Sequence, residues 1–216
     1  MPKKVLIIIL AACLAFPCPL AFSQGGYPET VSVLLELLAR EELADALYTA
    51  YAKKALKEGY PHIAQLADAL SASEGVHAGN LRQILGGLGV ATDDRLPDVT
   101  VADTKTNLNR ASKAELDEID VRYPAFLGRV KPEGLQAAID DLGHSWAAEK
   151  QHRELIQQLV QGSGLFFGMM AKQIESTPVD YYVCTSCGST LLSLPSPACP
   201  ICGGPVSRYM RVDAGR

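Results

Sequence analysis

Glu74-Gly75-Val76-His77 and Glu149-Lys150-Gln151-His152 repeat one pattern, a glutamate and a histidine three residues apart. On a helix that spacing puts a carboxylate and an imidazole on one face, a single turn apart, so that both reach one metal ion. One such pair alone reads as a polar contact on an exposed helix face. Chance gives about 0.2 pairs in a chain with this many Glu and His, and here there are two. Position decides the matter. Glu74 and His77 interrupt the apolar stripe Ile63, Leu66, Leu70, Leu81, Ile84, Leu88, and Glu149 and His152 interrupt Leu135, Ile139, Leu142, Trp146, Ile156, Val160. Both pairs therefore face a core, where unpaired charges cost several kcal/mol each (~3 to 5) unless a cation joins them.

Working outward, those stripes predict helices over about 61–88 and 132–174. A third stripe, Leu34, Leu38, Glu41, Ala44, Tyr48, Ala52, Ala55, predicts a helix over 28–59, punctuated by Gly59 and Pro61. A less regular helix is expected over 104–130, with Pro124 as a kink. The stretch from Val90 to Asp103 is long for a bundle connection and reads as a crossover. The fold class is mainly α, a four-helix bundle over 28–176 with a small appended unit over 179–216.

Two further acids complete a ligand set. Glu41 lies on the first stripe and Glu118 on the third helix, with Glu42 and Glu115 as their alternatives. Bundles that hold two metal ions take one Glu from each of two helices and Glu-x-x-His from the other two. The expected set is Glu41, Glu74, His77, Glu118, Glu149 and His152. Four carboxylates neutralise two divalent ions, and oxygen with imidazole ligands suits iron or manganese. Tyr48 and Tyr123 are candidates to hydrogen-bond these ligands, and Glu115 to support Glu118.

Cys184-Thr185-Ser186-Cys187-Gly188 and Cys199-Pro200-Ile201-Cys202-Gly203 form two knuckles, each able to grip one ion with two thiolates. Together they predict a single tetracysteine site holding iron or zinc, rather than two disulfides. So small a unit needs such a staple to fold.

The N-terminus reads as an export signal over 1–23: Lys3 and Lys4, the apolar run Val5 to Phe16, then Ala21-Phe22-Ser23 before a cut at Gln24. This places the mature protein in the periplasm. Leu10-Ala11-Ala12-Cys13 offers a second reading, a lipid anchor through Cys13. With 48% hydrophobic residues and a formal net charge of −4, the chain has an ordinary globular composition and no basic footprint for nucleic acid.

The combination resembles rubrerythrin over nearly all of the mature chain. The residues that carry the resemblance are Glu41-x-x-Ala44-x-x-x-Tyr48, Glu74-x-x-His77-Ala78, Tyr123-Pro124-Ala125-Phe126, Ala148-Glu149-x-x-His152 and the two knuckles. It implies a ferritin-like bundle and a rubredoxin-like C-terminal domain. The di-iron centre is expected to reduce hydrogen peroxide, or dioxygen. Electrons would be relayed through one iron bound by the four cysteines, from a donor the sequence does not name. The resemblance also implies a homodimer in which the two centres communicate head to tail. Rubrerythrins carry a second glutamate one turn after the position matching Glu118, in a Glu-x-x-Glu pattern tied to a redox-linked ligand exchange. Here that position is Val121, a departure that favours a ferroxidase.

Overall fold

A computed structural model of the protein describes residues 26–93, 95–160, 171–172, 175–176 and 179–213. The expected export signal and Cys13 lie outside them. Among the described residues no helix is long and apolar enough to cross a membrane.

Helix α1 spans Pro28–Lys57 and α2 spans Pro61–Gly87. Each opens with proline in its first turn, where the missing N–H costs nothing. Their stripes pack against each other, as the three- and four-residue spacing requires. The irregular segment after Gly87 ends at Asp103, whose carboxylate accepts a hydrogen bond from the Thr106 amide at 3.0 Å and so caps α3, Thr104–Asp117.

The expected single kinked helix over 104–130 is corrected. After α3 the backbone widens into a π-helical turn over Glu118–Arg122, then resumes as α4, Tyr123–Val130. Pro124 sits in the first turn of α4 rather than at a kink inside a helix. The π turn leaves the Ile119 carbonyl free to accept from the Trp146 indole at 2.9 Å. The fourth long helix also begins later than expected. Pro132 falls in a 3-10 turn, Lys131–Glu133, and Gly134 takes the left-handed φ of 72°. Helix α5 then runs over Gln136–Val160. Its expected continuation to residue 174 falls largely outside the described residues.

Two apolar clusters fill the bundle. One gathers Leu34, Leu37, Leu81, Leu85, Phe126 and Leu142; the other gathers Tyr48, Ala52, Leu66, Leu70, Ala111 and Ile156. A fully buried leucine contributes about 2 kcal/mol, so the bundle has a core that does not depend on metal. The polar cluster lies between the two.

The C-terminal unit is a three-stranded antiparallel sheet in the order β2-β1-β3, with β1 Tyr181–Cys184, β2 Thr190–Leu191 and β3 Tyr209–Val212. Its cysteines pack with Ile201 and Tyr209, while Tyr181, Val183 and Val212 on the other strand face join the second apolar cluster of the bundle. The unit packs on α2 and α5. Gln65 Nε2 donates to the Val212 carbonyl at 2.9 Å, Ser73 Oγ to Gly188 at 2.6 Å, and Asn80 Nδ2 to Ser186 at 3.0 Å. The Thr190 amide donates to Gln151 Oε1 at 3.0 Å. A contact that the resemblance places between two subunits is made here between two parts of one chain.

Candidate metal centres

Helices α1, α2, α3 and α5 each send one glutamate inward, and α2 and α5 add a histidine. The ligand atoms form two overlapping groups, Glu41, Glu74, His77, Glu149 and Glu74, Glu115, Glu149, His152, each with all atoms within 4.8 Å of one another. The shared members are Glu74 and Glu149, the two acids of the repeated motif. His77 Nδ1 lies 3.0 Å from Glu74 and 3.3 Å from Glu149; His152 Nδ1 lies 3.1 Å from Glu149 and 3.3 Å from Glu74. Each motif thus reaches across to the other. The six side chains are buried.

The structure seats Glu115 in this cluster where Glu118 was expected. Buried positions recur at Thr104, Asn107, Ala111 and Glu115 on α3 and at Ile119 in the π turn, a three- and four-residue spacing that passes over Glu118. Glu118 turns instead to Arg40, whose Nε donates to it at 2.7 Å. The alternative Glu42 pairs with Arg82 at 2.8 Å. Glu115 and Glu118 are themselves a Glu-x-x-Glu pair ahead of Tyr123-Pro124. Val121, where the extra carboxylate was expected, is 55% exposed and brings none to the cluster; Glu115 is the acid of this region that joins it. The signal for Glu115 was present in the sequence, three residues before Glu118 rather than three after.

Two tyrosines hold the outer carboxylates. Tyr123 donates to Glu41 Oε1 at 2.7 Å, and Tyr48 donates to Glu115. Burial lifts both phenols well above their usual acidity range, so both keep the proton they donate. Burial pushes Glu41 up to about 8 and Glu115 well above the carboxylate range. Burial opposes charge on His77 and His152 too, yet the surrounding carboxylates raise both well above the usual imidazole value. With no other cation in the cluster, Glu41, Glu115 and the two histidines collect protons, while the histidines hold Glu74 and Glu149 below the usual carboxylate range. That is a donor set suited to two divalent ions, which would take the place of those protons.

The other faces of the imidazoles meet the C-terminal unit. His152 Nε2 lies 3.0 Å from Ser73 Oγ, which donates onward to the Gly188 carbonyl. This fixes the His152 proton on Nε2 and leaves Nδ1 toward the carboxylates. Gly188, at φ 74°, rests on the edge of the His77 ring, and a Cβ there would overlap His77 Nε2 and Ser73 Oγ. Glycine is required twice over, for its dihedral and for the approach. Neither Ser73 nor the docking residues Gln65, Asn80 and Gln151 announce this role in the sequence.

The four cysteines are free thiols. Cys184 and Cys202 Sγ lie 3.9 Å apart, Cys187 and Cys199 Sγ 3.6 Å. Metal–sulfur bonds of about 2.3 Å in a tetrahedron give edges of about 3.8 Å, so the cage fits one thiolate-bound ion and no disulfide. Between α1 and α3 a cavity of about 310 Å³ reaches Glu41, Glu74, Glu115 and Glu149 from outside, with Leu43, Leu47 and Arg110 along its wall and Arg40 and Glu118 beside the acids.

The family model for Rubrerythrin matches residues 33–160. A putative rubrerythrin of Methanocaldococcus jannaschii is 30% identical over 85% of this chain and 92% of its own length. Rubrerythrin-1 of Clostridium acetobutylicum is 28% identical over 84% and 93%, and nigerythrin of Nitratidesulfovibrio vulgaris 27% identical over 88% and 89%. Among solved structures, fully reduced, all-ferrous nigerythrin superimposes with a TM-score of 0.70 at 25% identity, covering 97% of this chain and all of that one. Ferritin-like fold, ligand cluster and sequence similarity agree: the chain belongs to the rubrerythrin family of di-iron oxidoreductases.

Proposed function

We propose that the protein reduces hydrogen peroxide, or dioxygen, at a di-iron site held by Glu41, Glu74, His77, Glu115, Glu149 and His152, with electrons arriving through iron in the tetracysteine site. One observation carries this reading: the knuckle Cys184–Gly188 lies directly on the two histidines of the cluster. The path from Cys187 runs through the Gly188 carbonyl, Ser73 and His152, with no gap wider than a hydrogen bond. Bound iron supplies the two electrons that split an O–O bond. The chain supplies the rest. The cavity between α1 and α3 admits a small oxidant to the carboxylates. Tyr48 and Tyr123 fix the outer acids. Glu118, lifted by burial although Arg40 pulls the other way, stands at the cavity where the protons consumed must enter.

The test is stoichiometric peroxide added to the fully reduced, iron-loaded protein. Both centres are expected to reoxidise, and an unchanged spectrum would remove the peroxidase reading. A ferroxidase is the alternative raised by Val121, and the cluster's six ligands without a further carboxylate favour it. Turnover of added Fe(II) beyond about two ions per chain would support it. Zinc in the tetracysteine site of natively isolated protein would make the chain a metal-binding protein without this electron path.

We propose further that the mature protein is periplasmic, cut before Gln24, and pairs as a homodimer with an electron donor of its own compartment. N-terminal sequencing or intact mass separates cleavage at Gln24 from a lipidated Cys13, and sedimentation reports the dimer.

A further inference from the structure

Tyr209 begins β3 directly across from Cys184 and packs on the cysteine cluster. Its hydroxyl lies 3.1 Å from Cys199 Sγ and 2.9 Å from Ser189 Oγ. Ser189 is fully buried, and its carbonyl accepts the Cys184 amide at 2.9 Å, so the knuckle itself anchors it. A phenol has one proton to give. A thiolate is the stronger acceptor, which leaves Ser189 to donate to the phenol oxygen. The result is a chain from Ser189 through Tyr209 to Cys199.

We propose that Tyr209 is a positioning residue for electron relay, acting through Cys199 to raise the reduction potential of iron in the tetracysteine site. The proposal rests on the reading that this site holds iron. Iron with four thiolates carries one more negative charge when ferrous than when ferric. A hydrogen bond to sulfur stabilises the more negative form, and does so more strongly away from water. Removing the hydroxyl must therefore favour the ferric state. The ring's own packing is a separate matter, because phenylalanine keeps it.

The experiment is a potentiometric titration of full-length, iron-loaded Tyr209→Phe against the unaltered protein, followed by the visible Fe(III)–thiolate bands. The one-electron equilibrium is expected to move about tenfold toward the ferric form, a drop of about 59 mV, with the bands shifted. Ser189→Ala should move it the same way by about threefold. Thermal unfolding of the zinc-loaded variants checks that the unit still folds. A folded Tyr209→Phe protein with unchanged midpoint and bands overturns the proposal. Peroxide reactivity is read separately, at the carboxylate cluster, so its absence would sink the peroxidase reading without touching this one. Absence of Fe(III)–thiolate bands in the unaltered, iron-loaded protein would sink both the relay and the role of Tyr209.

Discussion

The carboxylate cluster gathers its residues from positions 41 to 152, on four helices with an apolar cluster on either side, one of them shared with Tyr181, Val183 and Val212 of the C-terminal unit. The tetracysteine site gathers its residues from positions 184 to 202, and its cysteines pack with Ile201 and Tyr209 inside their unit. One site is held by a fold; the other holds a fold. The difference shows where metal is a passenger in the folding energetics and where it is the staple. It also predicts that the two sites respond differently to the loss of a ligand.

The largest effect should come from breaking the staple. Cys187→Ser with Cys199→Ser is expected to unfold residues 179–213, since structural ions of this kind contribute on the order of 10 kcal/mol. The bundle should survive, so far-UV circular dichroism should keep its helical signal while amide protection in the C-terminal unit vanishes. Loss of the helices as well would mean that the two units fold as one.

Ligand loss in the bundle should leave folding intact and weaken metal binding. Glu115→Ala is expected to cost more than about hundredfold in affinity for one of two Fe(II) ions, and Glu118→Ala about tenfold or less. Titration by calorimetry orders the two. The reverse order would return Glu118 to the ligand set expected from sequence.

Gly188→Ala attacks the contact between the regions rather than either site. Its dihedral strain is about 1 to 3 kcal/mol, and its Cβ collides with His77 and Ser73. Each iron site should keep its spectrum, while oxidation of the cysteine-bound iron by peroxide slows at least about tenfold in stopped-flow absorbance. Undiminished transfer would mean that electrons do not cross here.

The remaining test is one of pH. Glu41 at about 8, and His77 and His152 raised well above the usual imidazole value, hold protons when no cation is present. Iron must displace them, so Fe(II) affinity should rise with pH through neutrality and up to about 8, by about tenfold per pH unit for each proton released. At lower pH those protons are harder to displace and binding keeps weakening. A flat affinity between pH 6 and 8 contradicts this account.

Much of this was readable from residues because it is local. Glu74 with His77, Glu149 with His152 and the cysteine knuckles each lie within one turn, and their places on or off an apolar stripe follow from helical period. Glu115 was harder, because the inward positions before it, Thr104, Asn107 and Ala111, are polar or small and draw no apolar stripe that marks the face. The docking of the C-terminal unit was not readable at all. It depends on pairs such as Ser73 with Gly188, 115 positions apart, that have no periodic signature.

That docking has a division of labour. Four side chains of the bundle, Gln65, Ser73, Asn80 and Gln151, address the main chain of the smaller unit at Val212, Gly188, Ser186 and Thr190. Recognition of a backbone leaves side chains outside the contact free to vary, while Tyr181, Val183 and Val212 fill the bundle's second apolar cluster. The C-terminal unit is thus interchangeable in principle: a different cysteine module with the same turn, a glycine at its tip and apolar residues at these three strand positions would seat on these helices. Electron-delivery modules of different potential become exchangeable parts on one oxidant-reducing chassis.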